Sequence, residues 1–388
     1  MKKKICFIAW ERFSYGGISR VLSDIINGLC DDYEITILCL KNAQSLENVY
    51  GIDLSKVRII HWEMSFLQKL RREFVDRYLC RVLRQFSSWG VKNYMRLKYS
   101  NAFRRKIVSI IGHNFDFVIG ASGLDESYLL ASIASRIGGV KIGWMHTSFE
   151  GYFLSGSSAR KEYALKRGGF YLSGLDKLIV LSNTDEKKYA RFCHSVGVYN
   201  PVSFSCDTIA DVNTQSFVFV GALSWVKGAD ILIDAFALFA QENKDWRLDI
   251  YGDGNMWKYI IDKIKACNLE KRVSLNHSIL DVKSAYLKAA ALLFPSRVEG
   301  FGIVQGEAMT CGLPVLARAL PITKELVEHH DCGFLYQKDS GEELCSIMKQ
   351  YAESSVDRKK ELQLNALRQA NHFQINSILS TWNTKIIN

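Results

Sequence analysis

The stretch 290–315 constrains the fold of this chain more than any other. Residues 290–294 form a short apolar run, typical of a strand that is covered on both faces. Gly300 and Gly302 then allow backbone to approach a ligand closely, and a helix is predicted over 303–311. The loop therefore leaves the carboxyl end of a strand and presents unpaired backbone N–H groups at a helix N-terminus. That is where a doubly wound sheet binds anions.

Two carboxylates flank this turn, Glu299 before it and Glu307 one turn into the helix. A phosphate-binding helix end and two carboxylates suit one ligand only if it carries both phosphate and hydroxyl groups. A nucleotide sugar is such a ligand, because the amides can bind the diphosphate and the carboxylates can bind hydroxyls. The alternative is that both glutamates are solvated charges at a helix end.

These residues resemble the signature of the retaining glycosyltransferases of GT-B family 4. Both Ser-Arg-Val-Glu-Gly-Phe-Gly (296–302) and Glu-Ala-Met-Thr-Cys-Gly-Leu-Pro-Val (307–315) match the usual wording of that family. The resemblance is good from Gly221 to Tyr336 and looser before the hinge. It implies an α/β fold of the GT-B type, with two Rossmann-like, doubly wound domains facing a central cleft.

The chain of 388 residues is long enough for two such domains. We expect an N-terminal, acceptor-side domain over 1–202 with a hinge that begins at Asn200-Pro201-Val202, and a nucleotide-sugar-binding domain over 203–370. By the resemblance, the tail 371–388 is a helix that crosses back to the first domain.

The resemblance also implies the site residues. Glu299, Lys227 and His146 are the expected catalytic groups, with Lys227 neutralising the departing diphosphate and His146 contacting the donor sugar. Glu307 is expected to bind the ribose hydroxyls. The remaining donor-binding positions are predicted to be Gly300, Phe301, Gly302, Ile303, Gly16, Gly17, Gly252 and Arg297.

One position departs from the family pattern. The family has an arginine five residues before the lysine, where this chain has Ala222. Either the stabilisation of the leaving group is weaker here, or another cation such as Arg297 takes over.

The segment 66–106 carries twelve basic and only two acidic residues, an excess of +10 that equals the formal net charge of the whole chain. Its apolar residues recur at intervals of three and four, which predicts one or two basic amphipathic helices. Two interpretations are open. Either the segment docks on an anionic membrane surface, or its apolar face packs on the sheet while the basic face is solvated.

No Asp-x-Asp occurs in the chain, so we predict no metal and no other cofactor. The ten cysteines lack paired Cys-x-x-Cys spacing and are interpreted as reduced thiols of a cytoplasmic protein. The first strand is not followed by the Gly-x-Gly-x-x-Gly motif of a dinucleotide enzyme. No apolar run is long enough to span a bilayer.

The resemblance thus implies a retaining hexosyltransferase, and we expect it to act in bacterial cell-surface polysaccharide synthesis. The donor is expected to be a UDP-sugar, with GDP-mannose as a second choice, and the acceptor a saccharide or a lipid-linked saccharide. The protein is expected at the inner face of the plasma membrane, with no nucleic acid among its partners. The alternatives are a sugar-nucleotide epimerase of the same architecture and a non-catalytic carbohydrate-binding protein.

Overall fold

The structure is a computed structural model, and it describes residues 2–9, 16–40, 50–79, 82 and 87–388. The chain divides into two compact units. The first unit is formed by Met1–Asn200 together with Ile378–Asn388, and the second by Pro201–Ser377.

The first unit is built on a parallel sheet with the strand order β3-β2-β1-β4-β5-β6-β7. Its strands are β1 (Lys4–Ala9), β2 (Glu34–Cys39), β3 (Val57–His61), β4 (Phe117–Gly120), β5 (Val140–Trp144), β6 (Lys177–Val180) and β7 (Ser195–Gly197). The α-helices that connect them are α1 (Gly17–Leu29), α2 (Phe66–Phe74), α3 (Ser87–Lys98), α4 (Asn101–Ile111), α5 (Leu124–Ile133), α6 (Phe149–Phe153), α7 (Ser158–Leu172) and α8 (Asn183–Tyr189). A π-helical turn, Val75–Leu79, continues α2.

The second unit repeats the pattern with the order β10-β9-β8-β11-β12-β13. Its strands are β8 (Ser216–Val220), β9 (Arg247–Tyr251), β10 (Val273–Asn276), β11 (Ala291–Phe294), β12 (Val315–Arg318) and β13 (Gly333–Tyr336). Its helices are α9 (Ala229–Glu242), α10 (Trp257–Ala266), α11 (Lys283–Tyr286), α12 (Ile303–Thr310), α13 (Pro321–Thr323), α14 (Gly341–Glu353) and α15 (Val356–Ala370). The last α-helix, α16 (Ile375–Thr381), begins in this unit and ends in the first.

Each sheet is doubly wound, because the strand order reverses direction once. The reversal lies between β1 and β4 in the first unit and between β8 and β11 in the second. In such sheets the connections on the two sides of this point run to opposite faces, and the carboxyl ends of the two strands bound a crevice that binds ligands. The predicted α/β class with two Rossmann-like units is confirmed.

The end of the chain packs into the core of the first unit. Trp382 is fully buried, and its ring meets Trp144 edge-on at 4.9 Å between centroids and Phe7 at 6.4 Å. The side chain of Leu379 covers Gly28 so closely that a β-carbon there would lie 2.4 Å from it. The tail is therefore an integral part of this unit.

β5 ends at Trp144, two residues before His146. Ser148 caps α6 by accepting a hydrogen bond from the Gly151 N–H at 3.3 Å, so the chain must turn before it.

The basic segment 66–106 behaves differently in its two halves. Its second half, α3 and α4, packs apolar side chains into the core, including Tyr94, Met95 and Phe103, although Trp89 stays exposed. In its first half Val75 is buried, but most apolar side chains point outward, and Phe66 and Leu67 keep 72% and 76% of their surface exposed. The predicted positions Arg81 and Arg84 lie outside the described residues.

Candidate functional site

Two predicted catalytic residues, Lys227 and Glu299, are in direct contact although 72 positions separate them in the chain. Lys227 ends a short turn after β8, and Glu299 lies in the loop after β11. Because β8 and β11 are neighbours at the reversal of the second sheet, their loops meet at its carboxyl edge. The Lys227 ammonium group donates a hydrogen bond to Glu299 Oε1. The same oxygen accepts from the Ser296 hydroxyl at 3.1 Å.

Backbone contacts hold these two loops together. The N–H of Arg297 donates to the Val226 carbonyl at 2.8 Å. Gly228 has a positive φ of 70°, and a β-carbon there would lie 2.2 Å from the Pro295 carbonyl oxygen. A side chain at this position would force the loops apart, so a glycine is required for the contact between Lys227 and Glu299.

Gly302 starts α12 in the left-handed region, with φ of 72°. A β-carbon at this position would lie 2.6 Å from the Phe294 ring. Gly302, Phe301 and Gly300 thus form a tight turn between β11 and α12. The first amides of α12, beginning at Ile303, have no carbonyl one turn earlier to bind, as at every helix start. They give the turn the partial positive charge that favours a phosphate.

Glu307 lies in the middle of α12 and is only 1% exposed. The Tyr286 hydroxyl donates a hydrogen bond to Glu307 Oε2 at 2.8 Å. Tyr286 ends α11 and is itself fully buried. A buried carboxyl group needs such partners, so the tyrosine fixes the position of this side chain.

Arg297 is held by two carboxylates of its own unit. It makes a bidentate pair with Asp230 at 2.8 Å, and its Nε donates to Asp339 at 2.8 Å. The guanidinium group also lies 4.2 Å above the Trp225 ring. Hydrogen bonds to Asp230 and then Asp339 raise the pKa of Arg297. To bind a diphosphate in place of the missing arginine at Ala222, Arg297 would have to leave both partners, so that role stays a prediction.

Gly252 follows β9 and has a structural reason to be glycine. A β-carbon there would lie 1.8 Å from the Gly221 carbonyl oxygen, so the loops after β8 and β9 are in backbone contact. The adjacent Asp253 accepts from the Ser278 N–H at 2.9 Å and from the ring of His277. The bond from His277, followed by that from Ser278, lowers the pKa of Asp253 to about 2.

The predicted residues of the first unit lie after β1 and β5. Gly16 and Gly17 are at the start of α1, and the Gly16 N–H donates to the Tyr50 hydroxyl at 3.0 Å. His146 lies beyond β5, and its Nε2 is 2.9 Å from the Ala121 carbonyl oxygen after β4. A carbonyl can only accept, so Nε2 carries the hydrogen and Nδ1 is left as an acceptor.

Burial lowers the pKa of His146 to about 4. The unfolded chain binds the proton near pH 6.5, so protonation favours unfolding between pH 6.5 and 4, and stability falls as the pH falls through this window. We expect the free energy of unfolding to lose about 2 kcal/mol from this group between pH 7 and 5.

Chemical unfolding of wild type and His146→Gln at both pH values measures this loss. His146→Gln keeps a donor for Ala121 and should show a smaller pH dependence than wild type. His61→Gln, which changes an exposed histidine of the same unit, is the matched control. An identical pH dependence in wild type and His146→Gln would contradict the half-buried, neutral imidazole.

The chain is similar in sequence to known glycosyltransferases. Residues 208–369 match the family Glycosyl transferases group 1. The matched segment is somewhat under half of the chain and contains Lys227, Glu299 and Glu307. An uncharacterised glycosyltransferase of Haemophilus influenzae is 29% identical over 174 residues, which are 44% of this chain and 49% of that protein. The mannosyltransferase WbdA of Escherichia coli is 32% identical over 139 residues, 34% of this chain and 16% of that one.

The alignments therefore span at most about half the length of these curated relatives. Solved glycosyltransferase structures extend over the whole chain, at low identity. TarM of S. aureus, in complex with UDP, has a TM-score of 0.74 at 13% identity and covers 98% of this chain and 99% of its own. HepE of Anabaena, with UDP and glucose, has a TM-score of 0.71 at 20% identity, covering 98% and 100%. The fold is that of the GT-B glycosyltransferases.

Sequence reasoning missed two residues that support the glutamates. Ser296 stands within the family motif, so its position was visible, but its bond to Glu299 was not. Tyr286 carries no local signal, because it lies in a short helix 21 positions before Glu307. Among the described residues, no group of three His, Cys, Asp or Glu is arranged to hold a metal ion.

Proposed function

We propose that this chain is a retaining glycosyltransferase that moves a hexose from a nucleoside diphosphate sugar to a saccharide or lipid-linked acceptor. The observation that carries the proposal is the contact of Lys227 with Glu299 beside the N-terminus of α12. A cation, a helix start and a carboxylate thus occur together at the reversal of a doubly wound sheet, where ligands bind.

The charges suggest how the reaction is assisted. The bond from the anomeric carbon to the diphosphate breaks, that carbon bonds to the acceptor hydroxyl oxygen, and the hydroxyl proton is released. Negative charge grows on the leaving oxygen. Lys227 and the first amides of α12 are suited to stabilise that charge. Glu299 is suited to accept from a sugar hydroxyl near the reacting centre, and Glu307 from the ribose hydroxyls. Bound donor would then replace Lys227 as a partner of Glu299, which frees the ammonium group for the diphosphate.

The donor is proposed to be a UDP-sugar, since TarM and HepE hold UDP in their structures. GDP-mannose is the second candidate, because WbdA, a mannosyltransferase, is 32% identical to this chain over 139 residues. Retention of configuration rests on the family resemblance of the glutamate motif. A role in bacterial cell-surface polysaccharide synthesis, at the cytoplasmic face of the membrane, is part of the proposal.

A panel of UDP-, GDP- and ADP-sugars tests the proposal. Slow hydrolysis of one donor without acceptor, and transfer when acceptor is added, is the expected result. Release of an epimerised sugar in the absence of acceptor would instead identify the epimerase alternative. Donor binding without any turnover, with every acceptor tried, would favour the non-catalytic alternative.

Metal independence is a further prediction. Lys227 and the start of α12 supply the positive charge that a divalent ion supplies in other transferases. Turnover should therefore stay within about twofold of its initial rate in excess EDTA, whereas loss of a bound metal ion would remove several kcal/mol of charge stabilisation. Loss of activity that Mn²⁺ or Mg²⁺ restores would show that this expectation is wrong.

We further propose that α2 and its π-helical continuation dock on an anionic membrane. The side chains of Phe66, Leu67, Leu70, Phe74 and Tyr78 are all exposed and follow helical spacing. They do not pack on the sheet, as the solvated-helix interpretation requires of an apolar face. Exposed apolar patches of this kind mark interaction sites, and the basic residues around them favour anionic lipid. None of the described helices could cross a bilayer, judged by length and hydropathy.

Liposome flotation tests this docking. Wild type should float with vesicles containing anionic lipid at low salt, and less at high salt. The double variant Phe66→Gln, Leu67→Gln should reduce binding at least about tenfold, since burying each side chain contributes roughly 1.5–3 kcal/mol. Arg77→Gln should have a smaller effect, of about 1 kcal/mol.

The matched control is Val356→Gln, Leu364→Gln, which removes two exposed apolar side chains of α15 in the second unit. Equal flotation of wild type and the Phe66, Leu67 variant would overturn the docking surface. Arg72 is left unchanged, because it pairs with Asp125 at 3.2 Å and belongs to the fold.

A further inference from the structure

The first unit contains a cavity of about 240 Å³ to which no role has yet been assigned. It lies between α3, α4, α5 and α7. Three basic side chains line it: Lys92 and Arg96 of α3, and Arg104 of α4. The other lining residues are apolar or neutral, and no carboxylate of the described residues lines the cavity.

Arg104 is the buried member of this group, with 8% of its surface exposed. One of its terminal nitrogens donates to the Asn101 side chain, which is neutral. Its Nε is buried and has no hydrogen-bond partner among the described residues. Burial first, and then the positive charges of Arg136, Arg96 and Arg71, lower the pKa of Arg104.

A neighbouring buried cation, in contrast, has carboxylate partners. Lys98, 1% exposed and one turn from the cavity, is paired with Asp125 at 2.6 Å and with Asp76 at 2.8 Å. Within the described part of the chain, Arg104 and Arg96 have no such carboxylate. Burying a cation without a counterion costs free energy. We therefore expect an anion to bind at this cluster.

We propose that this cavity binds a phosphate group. Guanidinium groups recognise phosphate through paired, charge-assisted hydrogen bonds, and a multiply charged anion suits a cluster of cations better than a single carboxylate. Tyr171 holds two helices of the cavity wall together. Its hydroxyl accepts from the Met95 N–H at 3.0 Å and donates to the Lys92 carbonyl at 3.3 Å, which ties α7 to α3.

The phosphate could belong to a lipid headgroup or to a soluble compound, and two probes distinguish these sources. One probe is inorganic pyrophosphate. The other is dihexanoyl phosphatidic acid, below its critical micelle concentration. Titration calorimetry at low ionic strength measures the Kd of each probe for the full chain. Neither probe carries a sugar or nucleoside, so the result does not depend on the proposed transferase activity.

Arg96→Gln and Arg104→Gln should each raise the Kd of the bound probe by roughly 10- to 100-fold, as expected for the loss of one or two charged hydrogen bonds. Arg105→Gln and Lys106→Gln remove exposed charges of α4 that do not line the cavity, and should change the Kd by less than about twofold. Because Arg104 is buried, its substitution could also affect folding. Lys92→Gln therefore tests a second lining residue that, like Arg96, is exposed. Thermal unfolding verifies that each variant is folded.

Binding of either probe with this pattern supports the site, and the tighter probe identifies the source. Two results would overturn it. One is that wild type binds neither probe at up to about 10 mM, which corresponds to an affinity too weak to matter in a cell. The other is that Arg105→Gln weakens binding as much as Arg96→Gln. That result would show that the probe is attracted to positive charge in general and not to this cavity.

Discussion

Lys227→Ala is expected to lower kcat by roughly 100- to 1000-fold, the usual cost of losing one donor that stabilises a developing anion. The lysine ends the short turn between β8 and α9, and its side chain is one-third exposed. In the proposed reaction it faces a diphosphate whose negative charge increases as it leaves. The effect should therefore fall on kcat rather than on the donor KM.

Glu299→Ala should also act chiefly on kcat, because its ligand lies near the bond being broken. Since Lys227 and Glu299 are in contact, the two substitutions should not be additive. The double variant is expected to lose less than the product of the single losses. Steady-state kinetics of wild type, both single variants and the double variant form the complete cycle.

Lys338→Ala is the matched control, since it removes an exposed lysine of the same unit that pairs only loosely with Glu343, at 3.5 Å. It should leave kcat unchanged. Two results would contradict the assignment: kcat within about threefold of wild type for Lys227→Ala, or a fully additive cycle.

Glu307→Ala is expected to raise the donor KM by about tenfold to a hundredfold, with a much smaller change in kcat. The loss corresponds to one or two charged hydrogen bonds to ribose, at roughly 1.5–3 kcal/mol each. Tyr286→Phe should raise the same KM by about five- to tenfold, because the carboxylate then loses the hydroxyl that orients it.

A donor analogue that lacks the ribose hydroxyls gives a more direct measurement. Wild type should bind UDP more tightly than 2′,3′-dideoxy-UDP, and Tyr286→Phe should narrow that difference. Tyr351→Phe is the matched control. Tyr351 is also fully buried, and its hydroxyl donates to the Ala290 carbonyl at 2.7 Å, so its loss affects stability but not Glu307. If Tyr286→Phe keeps the full preference for UDP, the tyrosine does not position the carboxylate.

The sequence alone located the strand that leads into the candidate site. A strand was predicted over 290–294, and β11 begins one residue later, at Ala291, and ends at Phe294. Buried parallel strands are short apolar runs bounded by turn residues, so their limits depend on neighbours in the chain. The glutamate motif was visible for the same reason, since the loop, the helix and the turn after it are all local.

The tertiary structure decided which groups meet. Lys227 reaches Glu299 only because β8 and β11 are adjacent strands, and no pattern within either loop contains that information. Tyr286 reaches Glu307, and two aspartates hold Arg297, through the same kind of distant contact. These partners determine whether each charged group is available to a ligand or committed to the fold.

The basic segment shows the same division. Spacing in the sequence correctly predicted helices with apolar and basic residues, because helical periodicity is local. It could not predict that α3 and α4 bury their apolar faces while α2 exposes Phe66 and Leu67, nor that Lys98 has carboxylate partners and Arg104 has none among the described residues. Burial and pairing depend on which elements the folded chain places nearby, and only the three-dimensional arrangement contains that information.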